Sequence, residues 1–287
     1  MPVAWRCLGS SEYDAVITSH HAFAHVNRLS RGVHLAYVHS PARYVWSPNL
    51  DARGAARYLA IPRLALKAVD GNAARRVTAY AANSREVAGR IRRFWNRDAV
   101  VIHPPVRTDF FRPSASFVPS RQYVLGVGRW IGYKNLHLVI EAASAAGLPV
   151  KIAGRGPERE RLEASAKAAR VPVEIVAEPT DERLRELYQN ALALVFPTAE
   201  DFGLVPVEAQ AAGTPVVALG RGGALDTVVD GVTGVLTSST DVAELADAIG
   251  AAAALRSADC VLNAERFSRD AFRRRILDWA STWGVAP

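Results

Sequence analysis

The chain has 287 residues, 49% of them hydrophobic and 22% charged, with a formal net charge of +7. This is the composition of a soluble globular protein with a large core, long enough for two domains. Two cysteines, Cys7 and Cys260, far apart and outside any CxxC or Cys/His cluster, exclude a disulfide scaffold and a structural zinc site. No apolar run reaches the roughly 20 residues of a membrane span. The start, Met1-Pro2-Val3-Ala4-Trp5, lacks the basic-then-apolar pattern of a signal peptide, so a cytoplasmic location is expected. Basic residues such as Arg85, Arg90, Arg92, Arg93 and Arg97 are spread along helical segments without zinc-finger spacing or an aromatic RNA-binding pattern, so nucleic acid is not an expected partner. Two readings of the charge stay open: a solvated basic face, and peripheral association with an anionic membrane surface.

Taken in chain order, the first half predicts strands over 15–19, 33–39, 77–82 and 100–103, with helical stretches between them. Residues 113–120, which hold two prolines and three serines, interrupt the pattern and read as a linker. Beyond it, short apolar runs alternate with amphipathic stretches: strands over 123–127, 150–153, 173–176, 192–196, 216–219 and 234–236, and helices over 136–146, 158–169, 181–190, 206–212 and 242–254. That rhythm means parallel strands with crossover helices, a doubly wound α/β domain. Gly147 and Gly213 stand just past helices, where a left-handed residue ends them. A last, basic helix over 269–283 is too far from the preceding units to be the next crossover and is expected to dock on the first domain. The expected domains are therefore 1–115, 116–268 and a C-terminal helix within 269–287.

Two glycine turns follow strands, Gly126-Val127-Gly128-Arg129 and Gly154-Arg155-Gly156-Pro157. Neither completes a G-x-G-x-x-G dinucleotide fingerprint, and Lys134 lacks the following Ser or Thr of a Walker motif. What remains is Arg129 and Lys134, two cations on a loop at a strand's carboxyl end, which suit a diphosphate. The sharpest feature is Glu200-Asp201-Phe202-Gly203-Leu204-Val205-Pro206-Val207-Glu208. Gly203 lets backbone approach a ligand, and the amides of Gly203, Leu204 and Val205 open a helix N-terminus that favours anions. Glu208, one turn inside, is placed to accept from vicinal hydroxyls such as those of a ribose. On these residues alone, a helix-surface role for Glu208 and an ion-pair role for Glu200 stay open.

The Glu200 to Glu208 segment resembles the E-x7-E motif of retaining GT-B glycosyltransferases of family GT4. The resemblance extends through Val101-Ile102-His103-Pro104-Pro105-Val106, Gly128-Arg129 with Lys134, Ala153-Gly154-Arg155-Gly156-Pro157, the block from Phe196-Pro197 to Gly213-Thr214-Pro215, and Gly222-Gly223-Ala224-Leu225-Asp226. It implies a GT-B fold of two Rossmann-like domains. It also implies that Arg129 and Lys134 neutralise the diphosphate of a nucleotide sugar, that Glu208 holds the ribose, and that Glu200 faces the transferred sugar. Gly128, Gly154 and the amides of Phe202, Gly203, Leu204 and Val205 would complete the donor site.

In the first half, Tyr37-Val38-His39-Ser40-Pro41-Ala42-Arg43-Tyr44-Val45-Trp46 resembles a segment of transferases that build bacterial surface polysaccharides, often from GDP-mannose. By that resemblance His39 lines the sugar site; a lone histidine is otherwise a structural residue. Arg43, Tyr44 and Trp46 either shape the acceptor side or belong to the core, and Asn83-Ser84 is either the family pattern or a helix cap. The implied reaction is hexosyl transfer, with mannose the expected sugar and GDP-mannose the expected donor, to a lipid-linked or polysaccharide acceptor. The resemblance implies transfer with retention, and since no residue stands out as a nucleophile, same-face attack by the acceptor is expected rather than a covalent double displacement. No cofactor is expected, and with no Asp-x-Asp motif no metal site is expected either. Only thirteen residues precede the first strand region at Asp14, whereas the family begins with further strands and a glycine-rich loop. The first domain is accordingly expected to be incomplete, and a donor-binding but inactive chain is the alternative reading.

Overall fold

The computed structural model describes residues 13–27, 31–46 and 60–285. Met1 to Trp5 and Cys7 lie outside them. The chain forms two compact units, Met1–Pro104 with Phe272–Pro287, and Pro105–Ala271.

The first unit is built on four parallel strands in the order β1 (Ala15–His21), β2 (Val33–Ser40), β3 (Ala79–Ala82) and β4 (Val100–Val101). Parallel strands buried on both faces need apolar residues at both parities, and β2 provides them. Ala36 and Val38 face one way, toward Val87, Ile91 and Trp95. Leu35 and Tyr37 face the other, toward Trp279 and Ala280, with Phe272 and Ile276 packed alongside. Short helices and turns follow the strands: α1 (Arg43–Trp46), α2 (Ala60–Ala74) and α3 (Arg85–Trp95). In α3 the buried residues recur every fourth position, and Ser84 caps it by accepting from the Val87 amide at 3.2 Å. The last helix of the chain, which runs from Arg269 to Ser281, supplies the cover for the Leu35/Tyr37 face.

A buried carboxylate ties three of these elements together. Asp70 of α2 is fully buried; its Oδ2 accepts from Trp46 Nε1 at 2.6 Å and from Trp95 Nε1 at 2.8 Å, while His25 Nε2 lies 3.3 Å from Oδ1. Burial pushes the Asp70 carboxyl up to about 6 against the pull of the two indoles. Burial pushes His25 and His34 down to about 4.

The second unit has six parallel strands in the order β10-β9-β8-β5-β6-β7: β5 (Tyr123–Arg129), β6 (Val150–Arg155), β7 (Val173–Ala177), β8 (Ala191–Phe196), β9 (Val216–Leu219) and β10 (Gly234–Thr237). The helices are α4 (Thr108–Phe111), α5 (Leu136–Ala145), α6 (Arg159–Ala168), α7 (Asp181–Asn190), α8 (Leu204–Ala211), α9 (Ala224–Thr227), α10 (Val242–Ala253) and α11 (Ser257–Ala264), and the helix from Arg269 is α12. The strand order turns back between β5 and β8, so a crevice opens beyond their carboxyl ends, where ligands bind in open α/β sheets. Three features depart from the sequence-based expectation. The division falls at Pro104, ahead of the 113–120 segment, because Val106 and Phe111 are taken into the second core. Helix α8 begins at Leu204, since Gly203 at φ +83° caps it before Pro206 is reached. Helix α11 has no strand before it, and so is invisible to an alternation argument. Its Cys260 is buried, with the thiol pushed up to about 12 by desolvation, which leaves it inert near neutral pH.

Asp70→Ala is expected to destabilise the protein by about 3 kcal/mol or more, since each buried indole N–H left unpaired costs roughly 1–3 kcal/mol. Asp70→Asn, whose amide oxygen can take the place of Oδ2 and accept from both indoles, is expected to recover most of that. The raised Asp70 pKa favours the fold below pH 4 and loses that contribution as pH rises through 6, whereas the depressed His25 and His34 values favour it above 6.5 and lose it as pH falls toward 4. The two effects offset each other in wild type, so Asp70→Asn should make stability climb more steeply between pH 4 and 6.5. Urea unfolding across that range, followed by tryptophan fluorescence, checks both statements.

Candidate functional site

Two loops at the carboxyl ends of β5 and β6 meet backbone to backbone. Gly128 and Gly154 are partners across the strands, and a Cβ on Gly154, at φ +142°, would sit 1.9 Å from the Gly128 carbonyl oxygen. One on Gly156 would sit 2.5 Å from the Trp130 carbonyl oxygen. Gly154 and Gly156 are thus required by packing between strand ends, whatever else they serve.

Lys134 and Arg129 leave this region in different states. Asn135 Nδ2 donates to the Pro197 carbonyl at 2.9 Å and Thr198 Oγ1 to the Tyr133 carbonyl at 2.8 Å, which lashes the β5 loop to the β8 loop. That brings Lys134 to Glu200: the buried ammonium forms an ion pair with Oε1 of the carboxylate and lies 5.4 Å from the centre of the Phe196 ring. Arg129 is exposed, with its guanidinium 3.4 Å from the Tyr133 hydroxyl. Its charge faces solvent at the strand end.

The segment from Glu200 into α8 is shaped from behind. Gly222 pairs with Glu200 in an isolated bridge, and the Gly223 amide donates to the Glu200 carbonyl at 2.8 Å. A Cβ on Gly223 would lie 2.1 Å from the Phe202 carbonyl oxygen. Phe202 is itself buried edge-on against Phe267 at 5.6 Å, so this residue contributes backbone to the crevice and side chain to the core. Gly203 in its left-handed conformation then turns the chain so that α8 starts with its first amides directed out of its N-terminus.

Glu208 lies one turn into α8, half-buried. Its Oε2 accepts from the Tyr188 hydroxyl at 2.9 Å. Burial holds its carboxyl above the usual carboxylate range; the Tyr188 hydrogen bond and the Arg107 charge pull it down, and Asp181 pushes it up. Arg107 forms an ion pair with Asp181 at 2.8 Å and stacks over Phe110, 4.7 Å from the ring centre. Tyr188, Arg107 and Asp181 carry no local sequence signal, because their partners are distant in the chain; only the fold brings them to Glu208.

All the residues expected at a donor site, Gly128, Arg129, Lys134, Gly154, Glu200, Phe202 to Val205 and Glu208, belong to the second unit, around the crevice beyond β5 and β8. His39 belongs to the first unit, at the end of β2, where its Nε2 is 3.0 Å from Ser19 Oγ and its ring stands edge-on to Tyr37. Trp46 stacks on Phe94 at 5.1 Å and bonds Asp70, which gives it a packing role. Ser84 acts as a cap.

The sequence profile of the family described as glycosyl transferases group 1 matches residues 108–267. The D-inositol 3-phosphate glycosyltransferase of Mycolicibacterium paratuberculosis is 34% identical over 214 residues, covering 63% of this chain and 48% of that protein. Its counterpart in Mycobacterium bovis is 36% identical over 167 residues, covering 52% and 35%. The chain thus spans about half the length, or less, of these curated relatives. Among solved structures, Anabaena Alr3699/HepE in complex with UDP and glucose superposes with a TM-score of 0.73 at 20% identity, covering 95% of this chain and 78% of that one. Sucrose-phosphate synthase from Thermosynechococcus elongatus superposes with a TM-score of 0.74 at 21% identity, covering 94% and 73%. At these identities the likeness is one of fold, the two-domain α/β architecture called GT-B.

Gly223→Ala should destabilise the protein by about 1–3 kcal/mol through overpacking against Phe202. Gly250→Ala, in α10 with open space where its Cβ would go, should stabilise it by about 0.5–1 kcal/mol. Urea unfolding of the pair reads the sign of each change.

Proposed function

Because the chain belongs to the glycosyl transferases group 1 family, we propose that it moves a hexose from a nucleoside diphosphate sugar to a glycan or lipid-linked acceptor with retention of configuration. The observation that carries this reading is the arrangement at the β5/β8 crevice. A helix N-terminus, an exposed guanidinium and a half-buried carboxylate one turn inside the helix match a diphosphate followed by a ribose. The amides of Gly203, Leu204 and Val205 and the Arg129 guanidinium receive the phosphates, and Glu208 receives the ribose. The Lys134–Glu200 pair sits where the phosphates end and the sugar begins. Lys134 supplies positive charge to the leaving diphosphate, and Glu200 faces the sugar hydroxyls.

In the proposed reaction the bond from the anomeric carbon to the diphosphate oxygen breaks as an acceptor hydroxyl forms its bond on the same face. The acceptor's proton passes to the departing phosphate oxygen. Charge developing on that oxygen is stabilised by donors fixed in place beforehand, which is the largest lever available to such a site. His39 is assigned to the sugar and acceptor side. Mannose as the sugar and GDP-mannose as the donor rest on the resemblance at His39 to Trp46 and Glu200 to Glu208. The similar Anabaena protein was solved with UDP, so both bases belong in the test. No helix among the described residues is long and apolar enough to cross a membrane.

The alternative reading is donor binding without transfer. Calorimetric titration with GDP, GDP-mannose and UDP-glucose, alongside a transfer assay, separates the two. Glu208→Ala and Arg129→Ala are each expected to weaken binding about 10- to 100-fold, the worth of a charge-assisted hydrogen bond or two. Binding with turnover supports the transferase, binding without turnover the second reading. A folded protein that binds no nucleotide would refute both.

A further inference from the structure

The carboxylate of Glu208 has one oxygen committed within the protein and one that is not. Oε2 takes the Tyr188 hydroxyl at 2.9 Å; Oε1 has no hydrogen-bond partner among the described residues. Tyr188 is rigidly placed. It is fully buried in the last turn of α7. Its ring stands edge-on to Phe111 at 5.5 Å, and its carbonyl accepts a hydrogen bond from Thr214 Oγ1. A buried phenol in that position has one use for its proton, since donating it to the carboxylate satisfies both groups at once.

We propose that Tyr188 is a positioning residue for nucleoside recognition, whose hydroxyl holds Oε2 of Glu208 and so reserves Oε1 for a sugar hydroxyl of the bound nucleoside. This rests on the reading of Glu208 as the ribose acceptor. The phenol donates to Oε2, so Tyr188 fixes the rotamer of Glu208 and favours its ionised form. A carboxylate on an unsupported side chain would have to be ordered by the ligand itself, at a cost in affinity. The charged groups that act on Glu208 are Arg107, ahead of α4, and Asp181, at the start of α7. On the other elements packed against α8, the titratable side chains are Asp226 of α9, Asp259 and Cys260 of α11, and Glu265 immediately after α11.

The proposal has a signature that simple loss of packing would not give. Protonation of Glu208 removes the acceptor, so nucleotide affinity falls as pH drops through its pKa. Tyr188 lowers that pKa against the effect of burial; without the hydroxyl it rises, and the acid limb moves to higher pH. Calorimetric titration of wild type and Tyr188→Phe with GDP and with UDP from pH 4.5 to 8.5 tests this, and the phosphate ionisation of the ligand is common to both proteins. The acid limb is expected to move up by about one pH unit in Tyr188→Phe, with affinity at pH 8.5 reduced about tenfold or less. A uniform loss of affinity with the limb unmoved would overturn the proposal. Glu208→Gln gives an independent test should Tyr188→Phe not fold. The Tyr188 proton claims the amide oxygen and turns the amino group to the ligand, so Glu208→Gln should lose affinity to within about threefold of Glu208→Ala. Retention of near wild-type affinity by Glu208→Gln would also overturn the proposal. If Glu208→Ala itself binds GDP and UDP like wild type, the ribose reading fails; if it loses binding while the two Tyr188 signatures are absent, that reading stands and only the proposal fails.

Discussion

The hydrogen bond from Tyr188 to Glu208 joins α7 to α8 where a half-buried carboxylate is held in the second unit and still faces outward. Its demands reach far along the chain. Tyr188 needs a wall, which Phe111 provides, and a fixed backbone, which Thr214 provides. Gln189 beside it donates to the Phe111 carbonyl at 3.0 Å. Residues 105–111 therefore belong to the second core although the composition break comes later, and the division at Pro104 follows from the packing around this carboxylate.

A second constraint acts on the backbone in front of it. The Glu200 to Gly203 segment is held by contacts that leave no room for a side chain at Gly222 or Gly223, and it ends in a left-handed Gly203. Its carbonyls are turned back onto the Gly222-Gly223 turn, so the amides that begin α8 are left without intrahelical partners. The same geometry puts Glu200 beside Lys134. In the structure the Lys134 ammonium is paired with the Glu200 carboxylate, and Arg129 and the helix N-terminus add positive charge that faces solvent.

Much of this was legible in the sequence, for reasons that can be named. Alternating apolar runs and amphipathic stretches exposed the strands and crossover helices, because parallel strands buried on both faces leave no other pattern. The glycines of 126–128, 154–156 and 222–223 were visible as motifs, but the close backbone contacts that demand glycine at 154, 156, 222 and 223 needed coordinates. Glu200 and Glu208 stood out through their spacing around Gly203. Arg107, Asp181 and Tyr188 did not, since each acts through a partner far away in sequence. Helix α11 was missed because it follows another helix, and Asp70 because a lone aspartate within an amphipathic stretch gives no hint of the two indoles that converge on it.

The central claim is that the crevice beyond β5 and β8 is built for a nucleoside diphosphate. The most direct test is a crystal structure of the protein with GDP or UDP bound. The account predicts ribose hydroxyls on Oε1 of Glu208, with Tyr188 still on Oε2, and phosphate oxygens on the amides of Gly203 to Val205 and on Arg129. A nucleotide bound elsewhere, or bound here with its ribose away from Glu208, would contradict it.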